Sequence, residues 1–564
     1  MKLADTSTRL PNSVLLGALA IVFATLAAYW PAFSAGFIWD DDAYVTENSL
    51  LTAPDGLWRI WFSAHSQSQY FPLVFSTLRF EYALWGLNPL GYHVVNVCLH
   101  IVNALLVWAL LRRLALPGAW LAAAIWALHP VQVETVAWVT ELKNTESTLF
   151  YLLAIFAWLN FCGGKGGRFY ALAIFLHLLA LFAKTTACTL PAVMLLVLWL
   201  RNEPIGWRRI LQSLPFLLIG IGMGLLSVWW EKHLGNYLPK LHLLGGPLDR
   251  LIIATHALWF YAGKIFWPAN LTFSYPRWDI NAADWQQYLW LAECLAVAAA
   301  LWLARKKWER KPAAAVFFFA AVLSPMLGFI PLYTFYFSYV ADHYQYFACL
   351  GLIVLGVGAA MKFLEICQVQ RPAKTALAAS LLLVLGVLTW RQCHACQNLE
   401  SLWTDTLHKN PHSWMAHNNL GRLLAKGGNP AEAEAHYKIA LALNPDEDAI
   451  HYNYGNLLAR AGRLDEAAEQ YHQALQLAPQ KAEAHNNLGS IFFRQHRTDD
   501  AIAEFNRAIS CKPDYTDACY NLGSALASEQ KTNEAIAAFQ QALRLKPDSE
   551  LFKKRLRELG ALAD

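Results

Sequence analysis

Twelve apolar stretches run through the first 390 residues, at about 13–33, 93–115, 118–138, 147–161, 168–183, 186–200, 209–230, 249–268, 285–304, 312–331, 344–364 and 375–390. Most approach the ~20 residues that a helix needs to cross a bilayer. Nothing but helices and closed barrels satisfies its own backbone in lipid, so this pattern predicts a polytopic helical bundle. The pattern stops near residue 390. Charged side chains fill 45 of the first 390 positions but 41 of the last 174, about twice the density. One part belongs in lipid and the other in water, which excludes a single soluble enzyme. Neither part has the clustered Lys/Arg face of a nucleic-acid binder, and no nucleic-acid partner is expected. The first stretch has too long an apolar core for a cleavable signal peptide and is expected to stay as an anchor. The ten cysteines are scattered, with no disulfide framework or zinc spacing; Cys393 and Cys396 form a lone CxxC.

Lys and Arg in short loops set the orientation. Lys2 and Arg9, Arg112 and Arg113, Lys165 and Arg168, and Arg201, Arg208 and Arg209 fall on alternate loops and read as cytoplasmic. The cluster Arg305, Lys306, Lys307, Arg310 and Lys311 must then be inside too. Twelve simple crossings would put it outside. The conflict disappears if 249–268, which contains His256 and Lys264, dips in without crossing. About 11 crossings follow, with the C-terminal part outside.

That C-terminal part repeats every 34 residues. Gly421, Gly455, Gly489 and Gly523 keep this spacing, as do Pro411, Pro445, Pro479, Pro513 and Pro547. Ala433, Ala467, Ala501 and Ala535 recur between them, followed by Tyr437, Tyr471, Phe505 and Phe539. Small residues that let two helices approach, an aromatic that fills the gap and a proline that ends the second helix make the tetratricopeptide pattern. The expected organisation is a membrane domain at 1–390 and a linker with a half repeat at 391–413, where Trp403 holds the aromatic position. Four repeats at 414–549 and a polar capping helix at 550–564 complete it. The fold class is all-α: a polytopic bundle followed by an α-solenoid.

On this topology the outer face gathers the ionisable residues. The long first outer loop, 34–92, carries Asp40, Asp41 and Asp42, and its segments 56–63 and 76–87 read as interfacial helices. Other outer loops carry His129, Glu134, Glu141, Lys143 and Asn144, then Lys184, then Asp342, His343, Tyr344 and Tyr346. Ionisable residues are costly at a membrane face and are usually functional there. Acids on one loop and bases on others suit a phosphate-bearing substrate. Bland readings stand beside this one. The three acids can be a solvated topogenic patch or a helix N-cap. His129 and Glu134 can order a helix end, Lys143 and Asn144 can snorkel, and Lys184 can be a plain loop charge.

The stretches FIWDDDAYVTEN (37–48), LWGLNPLGYHVVNVCLHIVNALL (84–106), HPVQVETVAWVTELKNTES (129–147), LFAKTTACTLP (181–191) and VADHYQYFA (340–348), together with the repeats, resemble one family. It is the transmembrane and tetratricopeptide-repeat O-mannosyltransferases and their bacterial relatives, of the GT-C class of polytopic glycosyltransferases. The resemblance implies transfer of a sugar, with inversion, from a polyprenyl-phosphate carrier to a protein hydroxyl at the outer or luminal face. It also implies an essential acid in the first outer loop, which maps onto Asp40, Asp41 or Asp42. An attacking hydroxyl needs such a base. A departing phosphate needs cations, for which Lys184, Lys143 and His343 are the candidates. His343 stands where relatives often carry Arg, a stronger clamp. His129, Glu134, Glu141, Asn144, Asp342, Tyr344 and Tyr346 are expected in supporting places. Adjacent carboxylates can also hold a divalent cation, but such sites draw on several loops, so no metal or other cofactor is expected.

Asn419, Asn453, Asn487 and Asn521 keep the same 34-residue period and invite a reading as a ladder that binds the backbone of an extended protein acceptor. It resembles the asparagine ladder of O-GlcNAc transferases. The alternative is that these asparagines tie neighbouring helices together. Two other functions compete: a membrane-anchored repeat scaffold for envelope assembly, without catalysis, and a transporter, which would show internal pseudo-symmetry that 13–390 lacks. The few repeats point to a bacterial inner membrane with a periplasmic solenoid, the alternative being the ER membrane with a luminal one.

Overall fold

A computed structural model describes residues 12–63, 69–234, 245–304, 310–330 and 333–562. Lys2, Arg9 and the Arg305–Lys307 part of the basic cluster lie outside them. The described residues form helices and connecting turns, with no strand. The chain divides into two compact units, Met1–Asn410 and Pro411–Asp564.

In the first unit six helices are long and apolar enough to cross a membrane: Pro89–Arg113, Val139–Cys162, Trp207–Trp230, Trp285–Ala304, Cys349–Ile366 and Arg371–Cys396. Five apolar helices are shorter: Asn12–Ala28, Ala119–Leu128, Gly167–Ala183, Thr185–Leu200 and Lys311–Met326. Local chemistry sets their ends. Asn88 caps Pro89–Arg113 by accepting from the Leu90 N–H at 3.2 Å, with Pro89 in the first turn where no N–H is needed. Pro247–Phe266 is a full helix that contains His256 and Lys264 but is not among the six. His256 is sandwiched between Trp278 and Trp290, at ring-centroid distances of 3.7 and 4.4 Å.

The uniform apolar stretch expected to cross at 118–138 does not do so as one helix. Ala119–Leu128 ends at His129–Pro130, because a proline disfavours helical conformation in the residue before it. Short turns follow at Pro130–Gln132, Val133–Ala137 and Val139–Glu141. Similar irregular segments occur at Thr185–Thr189 and Asp342–Gln345. Non-helical backbone inside a membrane bundle persists where protein groups satisfy it, and these three segments meet. The helices Gly56–Phe62 and Pro72–Trp85 form where interfacial ones are expected.

The helix of the half repeat, Leu399–Lys409, belongs to this first unit. Trp403 is buried there against Trp39 and Phe273, at 5.2 and 5.5 Å. Lys409 Nζ donates to the Leu271 carbonyl at 2.7 Å, and the Gly36 N–H to that of Gln397 at 2.8 Å.

The second unit comprises four helical hairpins, from Trp414–Lys426 and Pro430–Leu443 to Thr516–Ser528 and Thr532–Leu545, closed by Glu550–Glu558. The 34-residue period has a steric cause. A Cβ added at Gly421, Gly455, Gly489 or Gly523 would lie 2.8–3.1 Å from the ring of Tyr437, Tyr471, Phe505 or Phe539. Glycine is what allows each hairpin to close on its aromatic. Phe552 and Leu556 of the last helix are buried on the final repeat, while its charged residues face out.

Candidate active site

The acidic loop begins at a strained residue. Trp39 has φ = 51°, rare for a bulky side chain, and its ring is held edge-on by Phe273, Phe337 and Trp403. The following three acids have separate fates. Asp41 is fully buried; its Oδ2 accepts from the Ile38 N–H at 2.8 Å, and its Oδ1 from the Thr140 N–H at 2.8 Å and the Thr140 hydroxyl. It latches the loop to the broken segment 129–141 rather than capping a helix. Asp42 begins the π-helical turn Asp42–Thr46 and accepts from the Thr46 hydroxyl at 3.0 Å. Asp40 Oδ1 is buried and accepts no hydrogen bond. Burial pushes the Asp40 carboxyl up to about 6, against the pull of Lys143 and with a push from Glu141. Burial also raises Asp41 to about 7, opposed by its hydrogen bonds.

Beside these acids two lysines and a histidine surround one fully buried carboxylate, Glu141. Lys143 Nζ lies 2.9 Å from Glu141 Oε1, Lys184 Nζ 3.7 Å from Oε2, and His343 Nε2 3.8 Å from Oε1. Lys143 also lies over the rings of Tyr44 and Trp138. Asn144 holds the group together: its amide donates to Glu141 and, at 3.1 Å, to the His343 carbonyl, and its Oδ1 accepts from Lys184 Nζ at 2.7 Å. Burial lowers Lys184 to about 8, with Glu141 opposing the shift. Glu134 grips His343 twice, through Nδ1 at 2.9 Å and the backbone N–H at 3.2 Å. A small cavity opens at Lys184, lined by Asn144, Ser147, Tyr151, Met326 and Tyr344.

Other expected residues serve the scaffold. His129 accepts from the Val131 N–H and, through Nε2, meets the Ile265 carbonyl at 2.9 Å, so it orders the helix end. Tyr346 lines the cavity at Lys184 and is anchored in the core. Its hydroxyl bonds His100 at 2.8 Å, and its carbonyl accepts from Trp126 and Gln132. Asp342 is buried with both oxygens 3.1 Å from the Tyr275 hydroxyl; burial and then Glu134 raise its pKa. Cys393 and Cys396 are buried free thiols. Among the described residues no three His, Cys, Asp or Glu side chains converge as a metal site would need. The sequence reading missed the Thr140 latch and the central place of Glu141; their one signal is the run TELKN at 140–144.

Three of the repeated asparagines make the helix-tying bonds that were the alternative to an acceptor ladder. Asn419 donates to the Met415 carbonyl of its own helix at 2.8 Å. Asn453, Asn487 and Asn521 donate to Asn418, Asn456 and Asn486 of the preceding repeat, at 3.0, 2.8 and 2.9 Å. A semi-buried amide takes the neighbouring acceptor because leaving its donor unpaired is costly. A histidine register goes with it: His417, His451 and His485 each reach back to Pro411, Pro445 and Pro479 and forward to His436, Gln470 and Glu504.

A tetratricopeptide repeat family model matches residues 400–448, 419–482 and 452–516, and a second one matches 516–549. The protein O-mannosyl-transferase Tmtc1 of Drosophila melanogaster is 29% identical over 316 residues, 52% of this chain and 36% of that protein. The protein O-mannosyl-transferase F38B6.6 of Caenorhabditis elegans is 23% identical over 75% of this chain and 62% of its own length. TMTC4 of Homo sapiens, a protein O-mannosyl-transferase, is 27% identical over 527 residues, 77% of this chain and 67% of that protein. The chain is similar to these protein O-mannosyl-transferases, and its C-terminal part matches tetratricopeptide repeats. The matches to these O-mannosyl-transferases span from about a third to two thirds of their own lengths. Among solved structures, MamA is 22% identical over 26% of this chain and 86% of its own (TM-score 0.25). YrrB, a TPR protein with an unusual peptide-binding site, is 19% identical over 28% and 81% (TM-score 0.26).

Proposed function

We propose that the chain is a GT-C-type membrane glycosyltransferase that moves a mannosyl group from a polyprenyl-phosphate carrier to a hydroxyl of a protein acceptor. The observation that carries this reading is Asp40: a buried carboxylate oxygen that accepts no hydrogen bond, beside Lys143, Lys184 and His343 gathered on Glu141. The acceptor oxygen attacks the anomeric carbon and gives its proton to Asp40. The bond from that carbon to the phosphate oxygen breaks as the new one forms, which inverts the centre. The polyprenyl phosphate leaves as an anion held by Lys184, Lys143 and His343. These residues route the reaction without a metal. The relatives' names support mannose as the sugar and a protein as the acceptor. The solenoid recruits that acceptor through its groove, on the periplasmic side of a bacterial inner membrane; an ER membrane with a luminal solenoid is the alternative compartment.

The test is intact-mass analysis of secreted and envelope proteins from cells with the chain, without it, and with Lys184→Met. Hexose increments present only with the wild-type chain are expected. Unchanged increments in cells lacking the chain, or with Lys184→Met, would refute the reading.

A further inference from the structure

The bundle contains a second concavity, which shares no lining residue with the cavity at Lys184. It is a groove of about 1350 Å³, beyond the roughly 300–1,000 Å³ of a small-molecule pocket. Helices Asn12–Ala28, Pro89–Arg113, Ala119–Leu128, Cys349–Ile366 and Arg371–Cys393 form its walls. Those walls are mostly aliphatic, with Leu121, Ile353, Leu381 and Leu385 along its length. Its charged lining is Arg112 and Lys374, and among the described residues no acid lines it.

Both cations stand at one end. Arg112 is in the last turn of its helix and Lys374 in the first turn of the helix beginning at Arg371. A Cβ at Gly118, just past the helix of Arg112, would collide with Val357 and Met361 on the helix that ends at Ile366, just before that of Lys374. The catalytic acids are at the other end. Asn96, early in Pro89–Arg113, bonds the Trp138 and Val139 carbonyls beside the site. At ~1.5 Å per residue, Arg112 lies about 24 Å further along that helix. A long apolar slot with paired cations at one mouth suits a lipid with a negative headgroup, the chemistry of basic pockets between membrane helices. A zwitterionic lipid would set its own ammonium against the same cations.

We propose that this groove binds one anionic phospholipid, with its phosphate at Arg112 and Lys374 and its acyl chains along Leu121, Ile353, Leu381 and Leu385. The site is separate from the carrier's and does not depend on the proposed reaction. Arg113, on the same turn, is committed elsewhere: it donates to Asn160 Oδ1 at 2.9 Å.

The full-length chain, extracted in mild detergent and offered equal phosphatidylglycerol and phosphatidylcholine, tests this by native mass spectrometry. One phosphatidylglycerol should be retained in preference to phosphatidylcholine. Arg112→Gln with Lys374→Gln should weaken it by about thirtyfold, roughly fivefold per basic residue. Arg113→Gln should leave it unchanged. Leu381→Trp, which fills the slot and keeps both cations, should displace it. Equal retention of the two lipids, an unaffected double variant, or a polyprenyl phosphate retained in its place would overturn the proposal. Photoactivatable phosphatidylglycerol on the wild-type chain decides the matter without substitutions. Label on peptides covering 108–125 and 353–388 supports the site, and label confined elsewhere refutes it.

Discussion

Replacing Asp41 by Asn keeps the side chain's shape and exchanges one acceptor oxygen for an NH₂ group. In the native loop one oxygen serves the Ile38 N–H and the other serves the Thr140 N–H and hydroxyl. Whichever way the amide turns, its NH₂ faces a backbone N–H, which leaves a buried donor unpaired at a cost of ~1–3 kcal/mol. Above about pH 7, where Asp41 is ionised, the remaining bonds also lose the strengthening that a charged acceptor provides. The expected total is about 3 kcal/mol, seen as a Tm several degrees lower by tryptophan fluorescence in detergent. Asp40→Asn should cost less stability, because its Oδ1 accepts no hydrogen bond and only Thr140 bonds its carboxyl. It should melt closer to the wild type than Asp41→Asn and lose turnover by ~10²–10⁴, the contribution of a positioned base. The pH dependence follows from the base role. Turnover needs ionised Asp40, so it should rise with pH through about 6 and then level off. Stability runs the other way. The folded carboxyl keeps its proton above its ordinary 3.8, so this group's contribution falls as pH rises from there to about 6. Full turnover in Asp40→Asn, or an Asp41→Asn variant that melts like the wild type yet is inactive, would refute this division of labour.

Three further outcomes concern the solenoid unit, Pro411–Asp564. Gly489→Ala adds up to ~1 kcal/mol of helix propensity but places a methyl group 2.9 Å from the Phe505 ring. Overpacking of ~1–3 kcal/mol should win, and a higher Tm would contradict it. Asn487→Ala removes the bond to Asn456 Oδ1 and should cost ~1–2 kcal/mol in urea unfolding, without a change in peptide affinity; the reverse pattern would restore the ladder reading. The hydrogen bond to Glu504 raises the pKa of His485, so its stabilisation is full below the ordinary 6.5 and fades as pH rises through the higher folded value. The Tm gap between wild type and Glu504→Gln should therefore be large at pH 5–6 and close in alkali; a gap independent of pH would refute the pairing.

The solenoid was legible because one steric need, glycine under an aromatic ring, recurs every 34 residues. At the boundary Trp403 does two jobs: the tetratricopeptide match begins at residue 400, before it. Its spacing fits the repeat, but its partners are Trp39 and Phe273, far away in sequence. Hydropathy alone could not show that 118–138 breaks at His129–Pro130, since apolar residues continue on both sides of the break. The charged residues of the site were visible as costly side chains at a membrane face. Their ranking was not, because it depends on which oxygens are already taken: Asp41 is occupied by Thr140, and Glu141 is enclosed by Lys143, Lys184 and His343. The histidine register had a signal in the sequence, at His417, His451 and His485, but its partners 19 residues on are His, Gln and Glu, so no pairing chemistry repeats with it.

The hydrogen bonds between repeats also determine how such a chain can change length. Asn453 reaches Asn418 and Asn521 reaches Asn486, each 35 positions back, and every histidine in the register looks 6 positions back and 19 forward. An insertion or excision of one whole period leaves these offsets intact, so donors still meet the same kind of position. A cut of any other size throws every such bond that spans it out of step. Recombination in units of 34 is therefore the cheap route to a longer or shorter groove, and it leaves the membrane chemistry untouched.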